Sequence, residues 1–273
     1  MDKKFLISGG GTGGHIYPAI AIADEIKERF SSSEILFTGS SSRMEMKKIP
    51  ENGYKIRGLW ISGFNRKNFF SNLLFPLKVI VSLVQSIKIL HAFKPNIVIG
   101  TGGFASGPTL FIANLFRIPI FIQEQNSYPG ITNKILSKYA DKIFVSYDRM
   151  EKFFPKEKIL NYGNPVRNRF GKADNIEIDN FIKSHGINKN NKTILFLGGS
   201  LGSEVMNEFV VENIHYFEKS NYNVILQCGD RYKNKIKDNK SKSVIILPFI
   251  DQMATVISCS DLIVSRAGAI IIS

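Results

Sequence analysis

Twice in this chain a short apolar run ends in a glycine-rich loop that opens directly into a helix pattern. The first instance is Phe5-Leu6-Ile7, then Gly9-Gly10-Gly11-Thr12-Gly13-Gly14, then apolar positions at Ile16, Ile20, Ala23 and Ile26. The second is 193–197, then Gly198-Gly199-Ser200-Leu201-Gly202, then a helix pattern over 204–217. An apolar run without polar alternation marks a strand buried on both faces, hence a parallel sheet. Parallel strands need crossover connections, which are usually helices. The repeat therefore predicts an α/β chain of two Rossmann-like units, each opening with strand, glycine loop and helix. Further strands are expected at 35–37, 97–99, 118–123, 142–146, 223–227, 244–247 and 261–265, with helices over 16–30 and 133–139. The polar, broken stretch 171–192 reads as a linker between domains 1–170 and 193–273.

In such sheets ligands bind beyond the carboxyl ends of the strands, where both glycine loops fall. The first loop fits G-x-G-x-x-G as Gly9, Gly11 and Gly14, but the second strand ends Thr38-Gly39-Ser40 and lacks the acid that would hold a dinucleotide ribose. It nearly fits a P-loop, except that His15 stands where the phosphate-gripping lysine belongs. What remains is a backbone that a ligand can approach closely, at a helix N-terminus with unpaired N–H groups, which suits a pyrophosphate. The same glycines also serve a bare strand-to-helix turn. His15 sits at the first helical turn, where an imidazole can take a proton from a hydroxyl near neutral pH; capping or packing is the plainer role.

Composition narrows the partners. The 273 residues carry 36 basic against 23 acidic side chains, a net +13. That favours an anionic partner, although a lysine-rich background also accounts for part of it. Between Glu51 and Glu124 there is no acid, while Lys55, Arg57, Arg66, Lys67, Lys78, Lys88, Lys94 and Arg117 form a basic stretch. This stretch contains no recognisable nucleic-acid module, so nucleic-acid binding is not expected. Cys228 and Cys259 form neither a disulfide framework nor a zinc spacing, which fits a reducing compartment. No signal-peptide pattern opens the chain. The most apolar segment, 73–90, is broken by Pro76, Lys78, Gln85 and Lys88, short of the roughly 20 clean apolar residues of a bilayer span.

The segments GGGTGGHIYPA, ISGFNRK, GTGGFASGP, EQNSYPGITNK, NYGNPVR, GGSLGSEVMN, FIDQM and SRAGA occur in the order and spacing of one family. From Phe5 to Ser273 the chain resembles the MurG glycosyltransferases. The resemblance implies a GT-B fold, two Rossmann-like domains facing a cleft, with the second domain incomplete here. It implies inverting transfer of N-acetylglucosamine from UDP-GlcNAc to the muramyl C4 hydroxyl of lipid I (undecaprenyl-pyrophosphoryl-muramyl-pentapeptide), giving lipid II in peptidoglycan synthesis. No cofactor or metal is implied, and the sequence has no D-x-D. Helix dipoles and cations would stabilise the departing UDP instead.

Residue by residue, the resemblance makes Gly11, Thr12, Gly13 and Gly14 the acceptor-diphosphate loop and His15 the general base, with Glu124 the alternative base or a loop-orienting carboxylate. Thr12, Gly13, Gly14 and Asn126 are also implied at the donor. Gly102, Gly103 and Phe104 match the second acceptor loop, where Phe104 replaces a frequent tyrosine. Gln125, Asn126 and Asn133 complete the acceptor set. Arg167, Gly199, Ser200, Gly202, Asn207, Ile250, Ala267, Gly268 and Ala269 match the donor side, Ile250 through a backbone group that reads uracil. Leu201 stands where the family has glutamine. The sequence stops at Ser273, just before the family's ribose-binding glutamate, so this 273-residue polypeptide is expected to turn over poorly. Two alternatives are a GT-B enzyme with another acceptor and an inactive scaffold of the same fold. A helix over 69–87, apolar on more than one face, with Arg66, Lys67, Leu73, Leu74 and Lys78, is expected to rest on an anionic membrane at the cytoplasmic face; a fully buried helix is the alternative.

Overall fold

The computed structural model of the chain describes residues 3–65, 72–166, 173–199, 202–232 and 241–268. It divides into two compact units, Met1–Arg167 and Asn168–Ile272. The first holds a seven-stranded sheet built from β1 (Lys4–Gly9), β2 (Glu34–Ser40), β3 (Lys55–Leu59), β4 (Ile97–Gly102), β5 (Ile120–Glu124), β6 (Lys142–Val145) and β7 (Ile159–Asn161). Their spatial order is β3-β2-β1-β4-β5-β6-β7, with every pairing parallel. The order reverses at β1, so the carboxyl ends of β1 and β4 border the crevice where such sheets bind ligands.

Helices α1 (Gly13–Arg29), α2 (Glu45–Glu51), α3 (Phe75–Phe93), α4 (Ser106–Leu115) and α5 (Ile131–Leu136) cover the sheet. One core cluster joins Phe5, Ile7, Ile16, Ile20 and Phe37; another joins Leu6, Val98, Leu110, Ile122 and Ile143. The alternation of Phe5 and Ile7 with Leu6 places one set on each side of the sheet, as the pleat demands. A buried hydroxyl ladder lies beneath the site: Thr38 donates to Ser8 at 2.8 Å and contacts Thr109 Oγ1 at 3.1 Å.

The second unit contains α6 (Asn175–Ser184), β8 (Lys192–Leu197), α7 (Glu204–Glu212), α8 (Ile214–Lys219), β9 (Tyr222–Gln227), β10 (Val244–Leu247), α9 (Met253–Ser258) and β11 (Leu262–Ser265). Its parallel sheet runs β10-β9-β8-β11. Within the stretch 171–192 Asp174 caps α6 by accepting from the Ile176 N–H, and Phe181 and Ile187 join Leu195, Leu197 and Ile225 in the core. One expectation needs correction here. The single helix expected over 204–217 breaks at Asn213 into α7 and α8. In the first unit β3, β7, α2 and α4 escaped the apolar-run criterion. β3 is an edge strand reading Lys-Ile-Arg-Gly-Leu in which only Leu59 is buried, and β7 has three residues.

The long helix is not the fully buried one that the alternative reading expected. α3 is 19 residues and, by length and composition, apolar enough to cross a bilayer. Yet its buried positions are Ser82, Ser86 and Leu90, while Leu77, Ile80, Val84 and Ile87 are exposed. Ser82 donates to the Val79 carbonyl and Ser86 to that of Ser82, so both hydroxyls are satisfied inside the helix itself. Small residues let α3 lie close to the body of the unit, and the apolar stripe turns outward. Lys78 is half-buried, donating to Ser62 Oγ at 3.1 Å and lying 5.9 Å from the Trp60 ring. Arg66, Lys67, Phe69 and Phe70 fall outside the described residues.

Candidate active site

The first glycine loop leaves β1 at Gly9 and enters α1 at Gly13, with Thr12 as the extended N-cap. Its crowding explains its composition. A Cβ at Gly9 would sit 2.0 Å from Thr101 Oγ1, and Gly11 needs φ +87°. The second loop, at the end of β4, is pressed against the first: a Cβ at Gly103 would lie 2.3 Å from the Gly10 carbonyl oxygen, and one at Gly102 would lie 3.0 Å from the His15 ring. Gly102 and Gly103 also have positive φ, +96° and +83°. The Thr101 hydroxyl donates to the His15 carbonyl at 2.9 Å and ties the start of α1 to β4.

His15 stands between these loops. Its Nδ1 lies 3.1 Å from the Gly10 carbonyl and 3.2 Å from Thr12 Oγ1. A carbonyl only accepts, so Nδ1 carries the proton, and in the neutral ring Nε2 presents its lone pair. Burial is the main influence on the imidazole and holds its pKa below the ordinary value; Glu124, the Gly10 bond and Glu45 oppose it in that order. The side chain is thus neutral near pH 7, in the tautomer of a proton acceptor.

Glu124, at the end of β5, is almost wholly buried, and its carboxylate is fully engaged. Oε1 accepts from Asn126 N at 3.0 Å and Asn126 Nδ2 at 2.9 Å; Oε2 accepts from Gly130 N at 3.2 Å and Asn133 Nδ2 at 2.8 Å. It shapes the 126–130 loop and acts on His15 through charge. Gln125 donates to the Thr101 carbonyl at 2.8 Å. Gln125 Oε1 and Asn133 Oδ1 are buried without a hydrogen-bond partner among the described residues. The exposed Asn126 is the member of the EQN segment that reaches solvent. Asn164, of the NPVR segment, accepts from Gln123 Nε2 at 3.1 Å and donates to the Gln125 carbonyl at 3.2 Å, bracing the same strand end.

Two features of this unit bear on the expected acceptor loops. Gly11, expected to face a diphosphate, donates its N–H to Glu45 Oε2 at 3.1 Å. The N–H groups of Thr12, Gly13 and Gly14 make no hydrogen bond among the described residues, as the opening of a helix dictates. Phe104 lays its ring against Gly11 and Gly63, so it packs the loop through its apolar surface. Glu45 itself was not anticipated: nothing in Arg43-Met44-Glu45-Met46 marks it, and only its partners across the fold do.

In the second unit the glycine loop follows β8. A Cβ at Gly202 would lie 1.9 Å from the Cys228 carbonyl, with φ +78°. Asn207 is buried and donates to that same carbonyl at 2.9 Å, so it clamps α7 to the end of β9 and does not face solvent. Gln227 donates to the Gly199 carbonyl at 2.9 Å and accepts from Ile250 N at 3.0 Å. The N–H of the buried Ile250 is therefore occupied. Ala267 is exposed and Gly268 donates to the Arg266 carbonyl at 2.7 Å. Arg167, Ser200, Leu201 and Ala269 lie outside the described residues.

The glycosyltransferase family 28 N-terminal domain matches residues 5–145 and its C-terminal domain residues 193–273. A protein of Flavobacterium psychrophilum named UDP-N-acetylglucosamine–N-acetylmuramyl-(pentapeptide) pyrophosphoryl-undecaprenol N-acetylglucosamine transferase is 50% identical over 270 residues, covering 97% of this chain and 72% of its own length. A protein of the same name from Christiangramia forsetii is 47% identical over 266 residues, with the same coverage. Among solved structures, Acinetobacter baumannii MurG superposes with a TM-score of 0.66 at 25% identity, covering 99% of this chain and 73% of that one.

Proposed function

This chain belongs to glycosyltransferase family 28, and from that premise we propose that its first unit holds a lipid-linked acceptor while His15 removes the proton from the attacking hydroxyl. The reaction is that of its near relatives: N-acetylglucosamine passes from UDP-N-acetylglucosamine to the muramyl sugar of lipid I, forming lipid II. The observation that carries the role of His15 is its Nδ1 bond to the Gly10 carbonyl, which leaves Nε2 as an unprotonated acceptor between the two glycine loops. The N–H groups of Thr12, Gly13 and Gly14, with the positive end of α1 behind them, suit the acceptor diphosphate. Glu124 is the loop-orienting carboxylate rather than the base, since four donors already surround it. Gln125, Asn126 and Asn133 form the wall beside it, with Gly102 and Gly103 giving the close approach.

The nucleotide sugar falls to the second unit, at the loop of Gly199, Ser200 and Gly202, with the Ile250 backbone and the Ala267-Gly268-Ala269 segment, and with Arg167 on its phosphate. Asn207 serves there by holding the loop and not by touching the donor. The outward stripe of α3, continued ahead of the helix by exposed Leu73 and Leu74, suits the cytoplasmic face of the membrane, with Arg66, Lys67 and Lys78 as the cations for anionic headgroups.

The decisive experiment measures UDP release with a soluble lipid I analogue for wild type and His15→Ala. A positioned base contributes roughly 10² to 10⁴ in rate. A His15→Ala enzyme within about tenfold of wild type in kcat would remove His15 from the reaction.

A further inference from the structure

We propose that Glu45 is a positioning residue for the transfer reaction, gripping the Gly10–Gly11 peptide unit from the side opposite His15 and thereby setting the orientation of the imidazole. The proposal rests on the reading of His15 as the base. Glu45 opens α2, yet its side chain is fully buried under the first glycine loop. Oε2 accepts from Gly11 N at 3.1 Å and Oε1 from Ser40 N at 2.9 Å. Room for the carboxylate comes from two missing side chains: a Cβ at Gly10 would lie 2.2 Å from Glu45 Oε1, and one at Gly39 would lie 2.6 Å from its Cγ.

A buried carboxylate is a costly way to fill space, and an apolar side chain would fill it more cheaply. Its geometry shows what it does. The Gly11 N–H and the Gly10 C=O belong to one planar trans peptide, so they point in opposite directions. Glu45 holds the N–H end; His15 Nδ1 donates to the C=O end at 3.1 Å. Glu45, peptide and imidazole thus form a chain of hydrogen bonds, in which an anion at one end makes the carbonyl at the other a stronger acceptor. The arrangement matches the carboxylate that orients a catalytic histidine in hydrolytic triads, with one peptide unit inserted between them. Gly103 guards the same carbonyl, since any Cβ there would displace it.

The charges that act on His15 from neighbouring elements are Glu124 at the end of β5 and Glu45 on α2, both raising its pKa against burial. Arg43, 6.0 Å from the Phe104 ring that covers Gly11, is the nearby cation of the same segment. The test is ¹⁵N NMR of the imidazoles in the intact chain, with His15 assigned among the four histidines by its loss in His15→Gln. Glu45→Gln keeps the shape but turns an N–H₂ toward one of the two backbone donors and removes the charge. The His15 pKa is expected to fall further below its wild-type position, the Nδ1-protonated tautomer to lose population, and the Gly11 amide to exchange faster. Glu45→Asp keeps the charge but draws it back, so the tautomer should loosen while the pKa moves less. In the transfer assay Glu45→Gln is expected to lower kcat about 10- to 100-fold, the size of effect found when the outer hydrogen-bond partner of a metal-bound histidine is removed. KM for UDP-N-acetylglucosamine should stay near wild type, and the acid limb of kcat/KM should move to lower pH. An unmoved imidazole in folded Glu45→Gln, or lower thermal stability with unchanged kcat, overturns the positioning role. The imidazole readout needs no turnover, so it separates from failure of the base reading, which shows as full activity in His15→Ala.

Discussion

Replacing Gly103 by alanine should destabilise the first unit far more than replacing Gly53, although both have nearly the same backbone. Their φ values are +83° and +82°. Each alanine incurs the left-handed penalty of an L residue, about 1–2 kcal/mol, and each gains the same small entropy benefit from a stiffer unfolded chain. The two sites differ in their neighbours. A Cβ at Gly53 meets nothing within 4 Å, whereas one at Gly103 meets the Gly10 carbonyl oxygen at 2.3 Å and its carbon at 3.2 Å. Reaching ordinary contact requires a backbone shift of about 1 Å in a packed loop, and such overpacking costs typically 1–3 kcal/mol. Gly103→Ala should therefore lose about 1–3 kcal/mol more than Gly53→Ala, or roughly 2–12 °C in Tm for a unit of this size. The single tryptophan, Trp60, lies in the first unit, so its fluorescence during urea unfolding reports on that unit alone. Equal midpoint shifts for the two variants would refute the close approach of the glycine loops on which the site is built.

The same reasoning extends to charge and surface. Burial holds His15 below its ordinary pKa, so a base working as the neutral ring should give kcat/KM an acid limb below about pH 6.5; a limb above that value contradicts the assignment. By linkage, the unfolded chain binds the proton more readily. The stability associated with the neutral ring is thus present above about pH 6.5 and lost as pH falls through the folded pKa, which paired melts of wild type and His15→Gln would reveal. Glu124→Gln turns an amide N–H₂ toward groups that all donate, and should cost about 1–3 kcal/mol in denaturant unfolding; a loss under about 0.5 kcal/mol would mean the 126–130 loop does not depend on it. Ile80→Glu with Val84→Glu should weaken sedimentation with anionic vesicles while leaving stability within about 0.5 kcal/mol, whereas Ser82→Glu, at a fully buried position, should unfold the unit. Unchanged vesicle binding would remove the α3 stripe from the membrane surface.

Much of the architecture was legible because burial on both faces writes itself into a strand. β1, β2, β4, β5, β8 and β9 each contain an unbroken apolar run of three or four residues and were placed to within a few residues. β3 and α2 were not, because an edge strand and a two-turn helix bury too few residues to set up a period. The glycine loops were visible as composition, and the resemblance supplied their roles. Their mutual contact was not visible, because Gly10 and Gly103 are neighbours only after β1 and β4 pair.

The sequence by itself determined the α/β class, the two glycine loops at the carboxyl ends of strands and the family, because each depends on local pattern or on ordered motifs. Tertiary structure alone decided which polar groups remain available. It committed the Gly11 N–H to Glu45, the Ile250 N–H to Gln227 and the Glu124 carboxylate to four donors, leaving His15 Nε2 among the acceptors at the site. It also turned Ser82 and Ser86 inward and the apolar stripe of α3 outward. Both follow from one physical fact: hydrogen-bonding capacity and exposure belong to neighbours in space, and a sequence lists only neighbours along the chain.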